Sequence, residues 1–128
     1  MPSASIPNDV NVIEDSGVRW MARILGQSGS AIVQADVSSI VYSVYDKSDT
    51  TAATATGTLT VSDVIYNALQ TDSRWGKDTT GYNFGWNVPA SIFATGNKTY
   101  RIEVKITPAS GEPIHIVRDF PVVALNRS

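Results

Sequence analysis

The stretch "YNFGWNVP", residues 82–89, sets Tyr82, Phe84, Trp86 and Val88 at every second position, separated by Asn83, Gly85 and Asn87, and stops at Pro89. A period of two is the spacing of a β-strand, whose successive side chains point to opposite faces, and proline removes the donor that a further rung would need. All the large side chains then share one face, which calls for burial. An aromatic platform for a ligand would need that face open to water, and no neighbouring residue requires it, so the reading as a sandwich core prevails.

The same alternation recurs on both sides of this strand. Downstream, "TYRIEVKIT" (99–107) sends Tyr100, Ile102, Val104 and Ile106 one way and Arg101, Glu103 and Lys105 the other. "PASGEP" turns the chain, and "IHIVRDF" (114–120) brings Ile114, Ile116 and Phe120 inward with Arg118, in the same phase, as an exception near the strand's end, which makes a long hairpin. Upstream, "VRWMARIL" (18–25) faces Val18, Trp20, Ala22 and Ile24 inward and Arg19, Met21, Arg23 and Leu25 outward. "GQSGS" (26–30) turns; "AIVQ" (31–34) and "DVSSIVYSVY" (36–45) are rich in β-branched residues and tyrosine, and predict a short strand and a longer one.

Between these lie less regular segments. "DKSDTTAATATG" (46–57) lacks periodicity and is expected as an exposed loop or frayed hairpin, followed by a short strand "TLTV" (58–61). Ser62 has the chemistry of a helix N-cap, with Val64, Ile65, Ala68 and Leu69 on one face, so a short helix is predicted over about 62–70. "DSRWGKDTTG" (72–81) is a polar connection containing Trp75. With no helices between most strands, parallel crossovers are disfavoured. The expected fold is all-β: an antiparallel β-sandwich of Greek-key type with one short helix, in a single domain over 17–128 preceded by an N-terminal arm or edge strand at 1–16.

Composition agrees with that frame and excludes several functions. The chain has 128 residues, 42% hydrophobic and 17% charged, enough for one core and far from the signature of disorder. Twelve acidic against ten basic residues leave a net charge of −2, which provides no field to draw the chain onto nucleic acid. The start "MPSASIPNDV" lacks the charged and apolar regions of a signal peptide, and no apolar run approaches a bilayer span, so synthesis in the cytoplasm and no membrane contact are expected. There is no cysteine, hence no disulfide and no thiolate chemistry.

The run "NVPASIFATGNKTYRIEVKIT" (87–107) resembles the E strand, E–F corner and F strand of immunoglobulin-like domains. Tyr100 stands where such domains carry the corner tyrosine, and Ile102 stands where disulfide-bonded members have their second cysteine. Together with "ARILGQSGSAIVQADVSSIVYSVYD" (22–46), the segment is similar to small immunoglobulin-like proteins and modules of tailed-phage particles, among them head decoration proteins and the N-terminal domain of baseplate upper proteins. The likeness spans most of 18–122 and consists of turns and alternation, not of catalytic residues. It implies a structural role in the virion.

Chemistry competes poorly with that role. His115 is the sole histidine and alternates outward beside Val117 and Asp119, so it is expected on the surface and not as the base of a hydrolytic triad. Asp46 and Asp49 flank a polar loop without the order of a calcium-binding loop, and Asp72 and Asp78 lack a groove-lining aromatic set beyond Trp75. No phosphate-binding glycine loop links a strand to a helix. No enzyme activity, cofactor or metal is expected.

Three features fit assembly. Ile6, Val10, Val12 and Ile13 are apolar anchors in the polar arm, suited to a neighbour's surface or sheet edge; a strand on the chain's own sheet is the alternative. Trp75 suits either an interface contact or a plug over the end of the core. Met21 and Leu25 alternate with Arg19 and Arg23 on the outward side of the first long strand. The resulting expectation is a phage capsid decoration, or cement, protein that stabilises the assembled head. Its partners would be the major capsid protein or other virion proteins, with a homo-oligomer left open. A neck, tail or baseplate component is the alternative, and a carbohydrate- or receptor-binding module using Trp75 and the 46–57 loop is the second.

Overall fold

The computed structural model describes residues 3–5, 12–26, 29–49, 51–71, 75 and 80–124. These form strands β1 (Ser3–Ser5), β2 (Val12–Ile13), β3 (Val18–Leu25), β4 (Val37–Asp46), β5 (Ala55–Leu59), β6 (Ile65–Gln70), β7 (Tyr82–Val88), β8 (Lys98–Pro108) and β9 (Ile114–Val123), with one helical turn α1 (Val61–Val64). Two sheets result, ordered β1-β3-β7-β6 and β2-β9-β8-β4-β5. The hairpins β4–β5, β6–β7 and β8–β9 each stay within a sheet, while the links from β3 to β4, β5 to β6 and β7 to β8 change sheet. All pairings are antiparallel except the two-residue contact of β2 with β9.

The sheets pack face to face as an all-β sandwich, and the alternation of the long strands decides what fills it. Trp20 and Ile24 of β3 and Phe84, Trp86 and Val88 of β7 face Ile102, Val104 and Ile106 of β8 and Ile114, Ile116 and Phe120 of β9, all buried in one cluster. Trp20 lies at the centre, with its ring 5.8 Å from Phe84 and 5.6 Å from Phe120, both edge-on. Tyr100 is buried at the corner against Phe93, 6.1 Å away. Each such side chain contributes roughly 1.5–3 kcal/mol of transfer free energy. The Trp20 indole N–H has no partner among the described residues, so packing must offset its desolvation.

Four local expectations are corrected. The helix is one turn, Val61–Val64, with Thr60 at its N-cap, and 65–70 is a strand. One turn has little stability alone, whereas Ile65 gains a β-ladder partner in Phe84 and full burial. Residues 31–34 form no strand: Ala31 makes a single bridge to Leu25, and a 3-10 turn follows at Gln34–Asp36. The strand expected at 58–61 begins earlier, because Ala55–Leu59 pair with β4 from Val44 back to Ile40.

The fourth concerns Tyr82, which is buried but not with Phe84, Trp86 and Val88. It belongs to a separate cluster with Met21 and Trp75. The cause is Asn83. Regular pairing of β3 with β7 ends at Ala22 opposite Phe84, and beyond it the Asn83 amide takes the place of a backbone peptide. Its Oδ1 accepts from the Ile24 N–H at 2.8 Å, and its Nδ2 donates to the carbonyls of Ile24 and Ile32 at 2.9 and 3.0 Å. The side chain satisfies the strand end laterally, and Tyr82 leaves the core face.

The described parts of the N-terminal arm lie on the chain's own sheets, β1 beside β3 and β2 beside β9. Ile6 and Val10 lie outside the described residues.

Candidate functional site

The outer face of the four-stranded sheet is partly covered by the chain's own side chains. Gly85 projects no side chain there, and Arg19 lies over it; a Cβ at Gly85 would strike the Arg19 guanidinium. Arg19 Nη2 donates to the Tyr66 hydroxyl at 2.7 Å and Nη1 to Asn87 Oδ1 at 3.2 Å. Burial opposes the Arg19 charge, yet hydrogen bonds to Tyr66 and Tyr82 outweigh it and hold the pKa above its ordinary value.

Beside this arginine, Trp75 is 2% exposed, its ring 5.5 Å from Tyr82, and Met21 packs into the same cluster. Trp75 therefore acts as a plug, placed over the outside of a sheet and not over the end of the core, and neither it nor Met21 offers contact surface. Val12 is buried in the main core and Leu25 is partly buried, so of the described interface candidates only Ile13 is well exposed.

The residues weighed for chemistry are dispersed or already engaged. His115 is exposed, opposite Lys105 in the ladder. Asp46 Oδ1 accepts from the Ser48 N–H and hydroxyl at 2.9 and 2.7 Å, and Oδ2 pairs with Lys98 at 2.8 Å. The Lys98 contact first, then the Ser48 bonds, lower the Asp46 pKa to about 2. Asp49 is spent likewise on Thr51, through its hydroxyl at 2.6 Å and its N–H at 3.2 Å. Asp72 and Asp78 lie outside the described residues, among which no group of three or more His, Asp or Glu side chains is placed to hold a metal. A concavity of about 300 Å³ lies between the 26–36 connection and the β8–β9 turn; its carboxylate, Asp36, accepts from the Val33 N–H at 3.0 Å.

The remaining surface feature is the outer face of the five-stranded sheet. The register aligns Thr58, Val41, Lys105 and His115 in one row and Thr56, Ser43, Glu103 and Val117 in the next. Of the five large hydrophobic residues among the described ones that are exposed by 39% to 51%, Ile13, Val41, Val117 and Val123 are on strands of this sheet, and Leu69 is elsewhere. Ile13 and Val123 stand opposite each other in the β2–β9 ladder. Between the apolar points lie compensated charges, with Arg101 Nε 3.1 Å from Glu103 and Lys47 Nζ 2.9 Å from Asp119. Such exposed pairs add little stability, but they leave the face nearly neutral and studded with branched aliphatic groups.

Sequence reasoning missed this face. The signal was present, since Val41, Val117 and Val123 occupy the solvent phase of alternating strands, where polar residues are the rule. Comparison with protein families, with characterised proteins and with solved structures yields no match.

Proposed function

We propose that this chain is a non-enzymatic structural protein that docks onto a protein partner through the outer face of the five-stranded sheet. The carrying observation is that, of the five exposed large aliphatic side chains among the described residues, four are on that sheet. Exposed aliphatic groups spaced among neutralised charges suit a protein surface of similar polarity. We infer further that the sandwich is an immunoglobulin-like Greek key. The order β1-β3-β7-β6 against β2-β9-β8-β4-β5 supports this, since β1-β3-β7-β6 follows the A-B-E-D order of that fold and β9-β8-β4 its G-F-C order, with β2 and β5 added at the edges.

Within this reading the partner is a virion protein, foremost the major capsid protein, and the role is capsid decoration. That setting rests on the resemblance of residues 18–122 to phage immunoglobulin-like modules. Cement proteins act by adding contacts available only in the assembled shell, and so shift the equilibrium toward it by mass action. The test is quantitative mass spectrometry and immunogold labelling of purified particles from the source phage, with wild type and a Val41→Glu/Val117→Glu variant. Label over the head, lost in the variant, is expected. Label at the neck or tail tip would move the role to a connector or baseplate component, and absence from particles would refute the virion reading. The carbohydrate-binding alternative loses support from the burial of Trp75.

A further inference from the structure

A β-sandwich has four sheet edges, and each exposes unpaired backbone groups that invite another strand unless something blunts them. Three edges here are blunted. Among the described residues β1 spans three and β2 two. In β6 the register breaks between Ile65 and Gln70, five steps along β6 against two along β7. The fourth edge, β5, has none of these devices. It is regular over five residues, from Ile40 opposite Leu59 to Val44 opposite Ala55, and no described strand lies on its other side. Its sequence environment is equally unprotected, for residues 50–61, "TTAATATGTLTV", contain no charge and no proline.

We propose that β5 pairs antiparallel with β5 of a second copy of this chain, about a two-fold axis at Gly57, joining two five-stranded sheets into one of ten strands. Self-pairing follows from the chemistry of the edge. In a two-fold interface the same patch meets itself, residue i against j and j against i, so an edge strand with charge of one sign repels its copy; this one carries no charge to do so. With the axis at Gly57, Thr56 stands opposite Thr58 of the copy, and both threonines are exposed, which gives two cross-strand threonine pairs of a favourable kind. Gly57 is fixed by the chain itself, because a Cβ there would meet the Tyr42 ring at 2.7 Å, and it leaves nothing bulky on the axis. An extended peptide of strong charge gains no complementary group here, which favours the copy over such a partner. The pairing also carries the face with Val41 and Val117 continuously across the axis and doubles the surface available to one partner lattice. The inference concerns this edge alone and stands whether or not the virion reading holds.

An edge of this size gives an interface at the weak end of the range, below about 1,200 Å², so the dimer is expected at high micromolar protein. The chain has no cysteine, which makes cross-linking a clean test. Thr56→Cys and Thr58→Cys variants are prepared separately and oxidised alone and as a mixture, with Glu112→Cys in the exposed β8–β9 turn as control. Directly opposed residues are close enough for a disulfide, whereas diagonal ones, about 7–8 Å apart, are not. The mixture is expected to cross-link at least tenfold faster than either variant alone or the control. Sedimentation equilibrium is expected to show a concentration-dependent dimer that Thr58→Lys abolishes without changing the circular dichroism spectrum. A chain monomeric up to millimolar concentration, a mixture no faster than the control, or a dimer undiminished by Thr58→Lys would each overturn the proposal.

Discussion

Replacing Asn83 by alanine tests whether one buried amide holds the end of the β3–β7 ladder. Asn83 is the buried polar side chain among the described residues, and its amide serves three backbone groups. Without it the Ile24 carbonyl keeps the Ile32 N–H at 3.2 Å, but the Ile24 N–H and the Ile32 carbonyl lose their partners. Two orphaned buried groups at about 1–3 kcal/mol each predict a loss of about 2–6 kcal/mol. That is a large part of the total stability of a domain, roughly 5–15 kcal/mol. With a urea m-value of about 1–3 kcal/mol/M, the midpoint should fall by at least about 0.7 M.

Asn83→Asp separates accepting from donating, because a carboxylate can still accept from Ile24 but faces two carbonyls to which it cannot donate. Burial and those carbonyls raise the folded-state pKa of the new acid above its unfolded value of about 3.9. A raised folded pKa means the variant is most stable below that unfolded value and loses stability as pH rises through the folded one. Urea titrations at several pH values measure both effects. A loss below about 1 kcal/mol for Asn83→Ala, or an Asn83→Asp variant no less stable at neutral than at acid pH, would contradict this account of the strand end.

Trp75→Ala should cost stability, about 3–5 kcal/mol as for other buried aromatic truncations, as followed by urea unfolding; unchanged stability with lost partner binding would restore Trp75 as a contact. Asp46, held down to about 2 chiefly by Lys98, should titrate near that value by carboxyl carbon NMR and move toward its ordinary 3.8 in Lys98→Met. Its contribution to stability is in place above the unfolded value and is lost as pH falls through the folded one; an Asp46 midpoint unmoved by the substitution would remove Lys98 as the cause.

Alternation made the core of β3, β7, β8 and β9 legible. Residues two apart on a strand share a face wherever the strand ends up, so Trp20, Phe84, Val104 and Phe120 were readable as buried from spacing. The outward position of His115 followed from the same rule. Other matters depended on contacts between segments distant in sequence. Residues 65–70 carry a helical pattern in isolation, and only the β-ladder partner offered by Phe84 makes them a strand. Tyr82 keeps strict period-two spacing with Phe84, yet the bonds of Asn83 to Ile24 and Ile32, more than fifty residues away, turn it to the other side.

The candidate site shows the same division. Met21 reads as surface in a one-dimensional pattern, and Trp75 as either a contact or a plug, because nothing local reveals that Tyr66 and Tyr82 build a second apolar cluster against them. Conversely, Val41, Val117 and Val123 are scattered along the chain, and only the register of β4, β8 and β9 places them on one face. The all-β sandwich could be read from the order of residues, since side-chain periodicity is a local property of the backbone. Which apolar residues face water, and which sheet edge stays open, could be read only from the folded chain, because both depend on what distant strands cover.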